Sequence, residues 1–332
     1  MIMQSIHNSP RTLWTPEVQT LTLPLPIIPW SLIFLLLALC QPILAQTKGD
    51  LDSQQWKAGE VLFDVEGWTE VLVGDMPLVI SVPHGGYIKD GRIPDRDCSE
   101  NGRVVKGTDS NTIATARAIQ QVFWETYQKR PYFVISRLSR NKVDQNRDVD
   151  LGACGDPLAT QAWNFYHEAI DKALSRAKGD SQWAIFIDLH GHGHKNPRLE
   201  LGYGLNREQL TKAFKKRGLG ELGGKSSLGN LISEKGTDFH QLLFGPNAFG
   251  SLMMDQGIAA TPSLGDPHPL EGEKFFAGGY NTRRYTSADY PNVFGWQIEC
   301  NKKGIRDSDA NRMKFASALA ESYFEYIKNL SL

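Results

Sequence analysis

The 332-residue chain has few cysteines and almost no excess charge of either sign. Its cysteines are Cys40, Cys98, Cys154 and Cys300, and none of them form a CxxC pair. A disulfide framework and a cysteine-based zinc site are therefore excluded, although an exported protein could still pair two of them. The formal net charge of −1 gives no reason to expect nucleic acid as a partner.

Several common catalytic motifs are also missing. The chain contains no GxSxG nucleophile elbow, no HExxH zinc motif and no P-loop lysine. These absences argue against the usual serine hydrolases, zincin proteases and P-loop nucleotide hydrolases. Internal repeats and low-complexity segments are absent too.

A hydrophobic run long enough for a comfortable membrane span is lacking as well. The apolar run from Leu32 to Cys40 is shorter than the about 20 residues that a span requires. Followed by Ala45, it is typical of a signal peptide, so we assign residues 1–46 to a signal peptide with an upstream segment. A lipoprotein signal ranks second, because bulky Leu39 precedes the cysteine. We expect an exported (periplasmic or extracellular) single domain over 47–332, with no stable membrane span after cleavage.

Strand and helix patterns alternate along the rest of the chain. A strand that runs into a glycine turn is predicted at 77–86, with further strands at 132–136, 183–189 and 293–300. Helices are predicted at 109–128, 157–179, 206–218 and 307–327. The strands read as continuous apolar runs, as buried parallel strands do. We therefore predict an α/β fold of three layers, αβα, around a mostly parallel or mixed sheet.

Polar side chains follow three of these strands. His84, His190 and Glu299 all lie at predicted carboxyl ends, where functional groups of such sheets gather. Two imidazoles and a carboxylate can share one Zn²⁺ and leave its fourth position to water. Asp188 shares a strand face with His190 and is predicted to support it or to take part in catalysis.

Two further histidines, His192 and His194, continue the segment "IDLHGHGH". Gly191 and Gly193 between them predict that the regular strand ends there. A second metal site and a substrate contact are alternatives, but we favour solvated side chains.

The segment "SRLSRNKVDQNRD" at 136–148 is rich in charge. Arg137, Arg140 and Arg147 occur there together with Asp144 and Asn146. A salt-bridged loop is one interpretation. The other is an anion clamp, because guanidinium groups bind carboxylates through paired hydrogen bonds.

The ordered set "VPHGG", "SRLSRNKVDQNR", "FYHEA", "IDLHGHGH", "GGYNTRRY" and "WQIEC" resembles N-formylglutamate amidohydrolases (deformylases), which are similar in fold to zinc carboxypeptidases. The resemblance runs from about residue 78 to 326. It implies a zinc-carboxypeptidase-like fold and hydrolysis of an amide bond with one Zn²⁺ per chain.

The resemblance also implies metal ligands. His84 and His190 match the first and last histidine ligands of the family. Asp109 in "GTDSN" matches the acidic ligand, with Asp97 and Glu100 as rivals.

Catalytic and substrate-binding roles follow from the same resemblance. Glu299 matches the general base, and Asn146 with Arg147 matches the pair that binds the substrate carboxylate. Arg140 is expected to stabilise the oxyanion or to join the clamp, and Arg283 matches the arginine of the family's "GGYxTR" segment.

The chain departs from the family at several positions. Gly85 and Gly191 replace serines, and Tyr87 stands where carboxypeptidases carry a glutamate ligand. The glycine-rich segment 195–275 is expected to shape the substrate pocket. The substrate is therefore predicted as an N-acyl amino acid or short peptide. An exported carboxypeptidase-like peptidase and a non-catalytic binding protein remain as alternatives.

Overall fold

A mixed sheet of nine strands forms the centre of the computed structural model, which describes residues 46–99 and 102–332. The strands are β1 (Gln46–Lys48), β2 (Val61–Phe63), β3 (Thr69–Leu72), β4 (Leu78–Val82), β5 (Tyr132–Ser136), β6 (Ala184–His192), β7 (Leu199–Gly202), β8 (Ala260–Thr261) and β9 (Val293–Asn301). Their order across the sheet is β1-β2-β3-β5-β4-β6-β9-β7-β8. The predicted signal peptide lies outside the described residues, except for Gln46 at the start of β1.

Helices cover both faces of this sheet. They are α1 (Thr112–Tyr127), α2 (Val149–Ala153), α3 (Pro157–Lys178), α4 (Arg207–Phe214), α5 (Leu219–Lys225), α6 (Gly229–Lys235), α7 (Phe239–Phe244), α8 (Phe249–Asp255), α9 (Tyr280–Tyr285) and α10 (Asp309–Asn329), with a π-helical turn at Lys302–Arg306. Within the described residues, no helix is both long enough and apolar enough to cross a bilayer.

The strand sequences explain the two cores. Successive side chains of a strand point to opposite faces of the sheet, so Ile185 and Ile187 pack with α1 and α10. Phe186, between them, packs with Tyr166 and Ile170 of α3 on the other face. Both faces of the central strands are therefore apolar, which is why those strands read as continuous apolar runs.

Strand directions confirm the predicted α/β class with three layers. β5, β4, β6 and β9 are parallel neighbours at the centre, whereas β3 and β7 run antiparallel on either side of them. The sheet is therefore mixed, and its parallel centre places the carboxyl ends of β4, β6 and β9 at one edge.

Three predicted boundaries were wrong. Helix α1 begins at Thr112 rather than at the predicted residue 109, with Asn111 at the cap position, and the Asp109 side chain contacts His84 and His190 instead. Helix α4 ends at Phe214, and Gly218 lies at the N-cap position of α5 rather than at the end of α4. β6 continues through the glycine at 191 to His192, because β9 pairs with it as far as Asn301.

A disulfide joins Cys98 to Cys154 across 56 residues, while Cys300 is buried and free. The bridge ties the loop before α1 to the end of α2, close to Arg96 and Leu151.

We expect Cys98→Ser and Cys154→Ser each to lower the free energy of unfolding by about 2–4 kcal/mol, because the unfolded chain regains the entropy of an open loop. Urea unfolding under oxidising conditions measures this loss. The matched control Cys300→Ser leaves the bridge intact. Equal stability of the bridged and unbridged chains would contradict the expectation.

Candidate active site

A row of polar side chains occupies the α3 face of the sheet at its carboxyl edge. On β6, Asp188 and His190 follow Phe186 at two-residue steps and so share its face. On β9, Glu299 is the direct neighbour of His190 in the register of the two strands. His84 follows the end of β4. The predicted convergence of these strand ends is therefore present in the structure.

Three potential metal ligands meet in this row. His84 Nδ1 lies 3.1 Å from His190 Nδ1. Asp109 Oδ2 lies 3.2 Å from His190 Nδ1 and 3.6 Å from His84 Nδ1. A tetrahedral zinc ion with ligand distances of 2.0–2.1 Å requires its ligand atoms to be about 3.3 Å apart. The spacing of the three atoms fits such an ion.

The hydrogen bonds behind the two imidazoles also favour a cation. His84 Nε2 lies 2.7 Å from Asp144 Oδ1, and His190 Nε2 lies 2.8 Å from Asp188 Oδ2. A carboxylate can only accept, so each Nε2 carries the hydrogen and each Nδ1 of a neutral ring presents a lone pair. Two lone pairs and the Asp109 carboxylate then face one another, which is repulsive unless a proton or a metal ion lies among them.

The pKa values reflect this need for positive charge. Burial lowers the pKa of His190, but the charge of Asp188 and the hydrogen bonds to Asp109 and Asp188 outweigh it, so the pKa is raised well above its usual value. Burial also opposes ionisation of Asp109, yet hydrogen bonds from both histidines hold its pKa far below the usual range. The cluster thus keeps an ionised carboxylate beside a histidine that holds a proton more strongly than usual.

Asp109 is held in place by backbone contacts. Its own N–H donates to the His84 carbonyl at 2.9 Å, and its Oδ2 accepts from the Gly191 N–H at 3.2 Å. These bonds turn the side chain towards the histidines and away from α1. Of its predicted rivals, Asp97 is exposed and outside the cluster, and Glu100 lies outside the described residues.

Asp144 is the residue that the sequence analysis left without a role. It is buried and accepts hydrogen bonds from His84 Nε2, Arg140 Nε and the Asn146 N–H, with Arg96 Nη2 at 3.4 Å. Burial opposes its ionisation, but the charges of His84 and Arg140 keep its pKa well below the usual value. Asp144 therefore orients His84 and links it to the arginine-rich loop.

A second set of contacts orients His190. Asp188 accepts from the Ser81 hydroxyl at 2.5 Å and from Asn281 Nδ2 at 3.3 Å. Asn146 Oδ1 accepts from the Asn281 N–H at 2.9 Å, and its Nδ2 packs 3.2 Å from His190 Nε2 without a hydrogen bond, because both nitrogens carry hydrogens. Asn146, predicted to bind substrate, thus lies behind a metal ligand as well as along the cavity.

Glu299 lies next to these ligands and is only 5% exposed. Burial raises its pKa to about 8, and the neighbouring charge of His190 acts in the opposite direction. Gln297 Nε2 donates to its Oε1 at 2.9 Å. The other oxygen, Oε2, is left to accept or hold a proton.

A cavity of about 410 Å³ opens over the cluster. Its lining includes the three potential ligands His84, Asp109 and His190, and also Glu299. Arg140, Arg147 and Arg283 line the same cavity, whereas Arg137 is not part of its lining and donates to the Gly67 carbonyl at 2.9 Å. Segment 195–275 contributes none of the lining residues, so its expected role in shaping the substrate pocket stays a prediction. Residues 276–280, immediately after it, form that wall instead.

Close packing explains the two glycines that depart from the family pattern. A Cβ on Gly85 would come within 2.6 Å of Ile113 Cγ1 and Thr112 Oγ1 at the start of α1. A Cβ on Gly191 would collide with the guanidinium group of Arg306. A serine at either position would require the neighbouring elements to move.

The outer histidines are not solvated, contrary to our expectation. His192 is 3% exposed, and the side chain of His194 is 16% exposed. Burial lowers the pKa of His192. Both rings lie beside Glu200 of β7, a residue that the sequence analysis did not single out. In "FYHEA", His167 is buried against Tyr285 and outside the cavity.

Comparisons with known proteins give weak similarities. No family model and no curated protein matches the chain. An N-formylglutamate amidohydrolase from Ralstonia eutropha is 13% identical with a TM-score of 0.41, over 77% of this chain and 93% of that one. A gene product of Agrobacterium tumefaciens is 12% identical with a TM-score of 0.45, over 80% and 96%.

An N-acetylmuramyl-L-alanine amidase from Mycobacterium smegmatis is 12% identical with a TM-score of 0.32, over 76% of this chain and 97% of the amidase. These identities and TM-scores are too low to indicate a function for this chain.

Proposed function

We propose that this chain is a zinc-dependent amidohydrolase that cleaves the C–N amide bond of an N-formyl or N-acyl amino acid. The observation that carries the proposal is the convergence of His84, Asp109 and His190 in a cavity that also contains Glu299. Zinc bound by these ligands would polarise the scissile carbonyl and lower the pKa of water towards about 7.

Glu299 is the proposed general base. Its Oε1 is held by Gln297, so Oε2 is the atom that takes a proton from water and passes it to the leaving nitrogen. Burial favours the proton-bearing form, and positive charge in the adjacent ligand set favours the ionised form. The two influences suit a group that must both accept and release a proton.

The arginines of the cavity bind negative charge in this proposal. Arg140 donates a hydrogen bond through Nε to Asp144, so its Nη atoms can donate to the oxyanion of the reaction. Arg147 donates through Nη1 to the Asn146 carbonyl, and its other N–H groups bind the substrate carboxylate. Arg283 lies at the exposed rim of the cavity and is the third arginine that binds negative charge of the substrate.

Export from the cytoplasm is part of the proposal. The predicted signal peptide supports it, and so does the disulfide between Cys98 and Cys154, because such bonds persist in oxidising compartments.

A carboxypeptidase-like peptidase is the second candidate, and one observation favours it. Tyr280 and Arg283 line both the cavity and an outer groove of about 850 Å³. That groove offers room for a substrate longer than an N-acyl amino acid.

Amine release from a panel of N-formyl amino acids, N-acetyl amino acids and dipeptides tests the proposal. We expect turnover of the N-acylated compounds that depends on added zinc. Dipeptide turnover alone would replace the first candidate with the second, and no turnover by the zinc-loaded protein would contradict both.

The carboxylate clamp makes a separate prediction. We expect Arg147→Ala to raise KM about 10- to 100-fold for substrates with a free carboxylate, because a charged hydrogen bond worth about 1.5–3 kcal/mol is lost. Carboxamide analogues of the same substrates provide the control and should be unaffected. An equal effect on both substrate series would show that Arg147 does not bind the carboxylate.

A further inference from the structure

A second group of metal-binding side chains lies outside the proposed catalytic ligands. We call His192, His194 and Glu200 the outer histidine cluster. His192 ends β6, and Glu200 lies on β7, two strands away in the sheet order. Glu200 is the cross-strand neighbour of Glu299, so the cluster continues the row of polar residues beyond the catalytic base.

The donor atoms of the outer histidine cluster converge on one carboxylate oxygen. His194 Nδ1 lies 2.7 Å and His192 Nδ1 3.8 Å from Glu200 Oε1. The three potential ligand atoms all lie within 4.8 Å of one another. Tetrahedral zinc needs separations of about 3.3 Å, so binding requires His194 Nδ1 to move about 0.6 Å away from Glu200 Oε1 and His192 Nδ1 to move about 0.5 Å towards it.

Hydrogen bonds behind the donors prepare them for a metal ion. His192 Nε2 donates to the Arg198 carbonyl at 2.8 Å, so its Nδ1 carries a lone pair. In the structure this lone pair accepts from the His194 N–H at 3.1 Å, a bond that the bound ion would replace. Glu200 Oε2 accepts from the Phe276 N–H at 2.8 Å, which leaves Oε1 as the ligating oxygen. Metal-binding histidines are commonly oriented in this way by a carbonyl behind the ring.

Glu200 also lacks a permanent positive partner. It is 1% exposed, and among the described residues its ion-pair contacts are only with His192 and His194. Nearby Arg198 pairs with Asp266 and Glu273 instead. A buried carboxylate is costly unless it is paired or coordinates a metal.

An ion has a route to this cluster that does not pass through the catalytic cavity. A separate cavity of about 760 Å³ is lined by His194 and the neighbouring residues 193–197, together with 271–274. The ring of Phe276 stacks on His194 and also lines the catalytic cavity, so it separates the two spaces.

From these observations we infer that the outer histidine cluster binds a second divalent transition-metal ion of the zinc class. Two imidazoles and one carboxylate are the donor set that zinc accepts in three-ligand sites. The bound ion neutralises Glu200 and fixes the 193–198 segment against Phe276. The inference does not depend on the proposed hydrolase activity.

Zinc binding by the purified full chain tests the inference. Bound zinc is measured by elemental analysis after dialysis and by titration against a chromophoric chelator. The His190→Ala background removes the catalytic site, so the zinc that remains reports the outer histidine cluster. We expect one equivalent in His190→Ala, none in His190→Ala with His194→Ala, and none in His190→Ala with Glu200→Gln.

Two matched variants distinguish a zinc ligand from a residue that only forms structural hydrogen bonds. His190→Ala with His240→Ala should keep the equivalent, because His240 lies outside both clusters. His190→Ala with His194→Cys should keep it too, since a thiolate is a zinc ligand. The inference is overturned when His190→Ala binds no zinc, or when loss of His194 and Glu200 changes the melting temperature but not the bound zinc.

Discussion

Glu299→Gln lowers kcat roughly 100- to 10,000-fold and leaves the zinc content of the protein unchanged. Glutamine keeps the size of the side chain and its place beside Gln297, but it cannot take a proton from water. The glutamate is not one of the three ligand residues, so metal binding should persist. Steady-state amine release combined with elemental analysis measures both quantities.

The matched control for this prediction is Glu234→Gln, which changes an exposed glutamate on α6. It should leave kcat and zinc content at their original values. Full activity of Glu299→Gln would remove the carboxylate from the mechanism. A loss of zinc along with activity would instead make Glu299 a metal ligand.

Asp144→Asn weakens zinc binding about 10- to 100-fold, because His84 loses the carboxylate that orients it. The same change costs about 3 kcal/mol of stability, since Arg96 and Arg140 lose their buried counter-ion. Zinc titration measures the first effect and urea unfolding the second.

The exposed Asp180 gives a matched control, Asp180→Asn, which should change neither quantity. Asp144→Asn could lower stability and leave zinc affinity unchanged. That result would show that Asp144 acts only as the counter-ion of Arg96 and Arg140 and does not orient His84. Retained stability with weakened zinc binding would show that Asp144 orients His84 but contributes little through the two arginines.

The central parallel strands and their functional ends could be predicted from the sequence, because each carries a local signal. An apolar run followed by "PHGG" or "LHGHG" marks both a strand and the polar residue at its end. His84, His190 and Glu299 were therefore placed together without any knowledge of strand order.

Other parts of the site depend on contacts distant in sequence. Asp144 binds His84 across 60 residues, and nothing near Asp144 indicates which partner it faces. Its position two residues before Asn146 was the one available clue. Glu200 lies on a four-residue strand whose place beside β9 follows from the crossover of the chain.

The errors at helix and strand ends have the same origin. Asp109 is a good N-cap residue by type, but its carboxylate contacts two histidines at a distance in sequence. Glycines at 191 and 193 predict a break after "DLH", yet pairing with β9 keeps the backbone extended to His192. In both cases contacts between residues distant in sequence determine where the helix begins or the strand ends.

Metal binding by His84 and His190 is tested by the zinc content of the purified chain, measured beside His84→Ala and His190→Ala. We expect each variant to lose one equivalent of zinc relative to the original protein, together with the proposed amidohydrolase activity. Unchanged zinc content in both variants, or no zinc in the original protein after zinc is supplied, would contradict it.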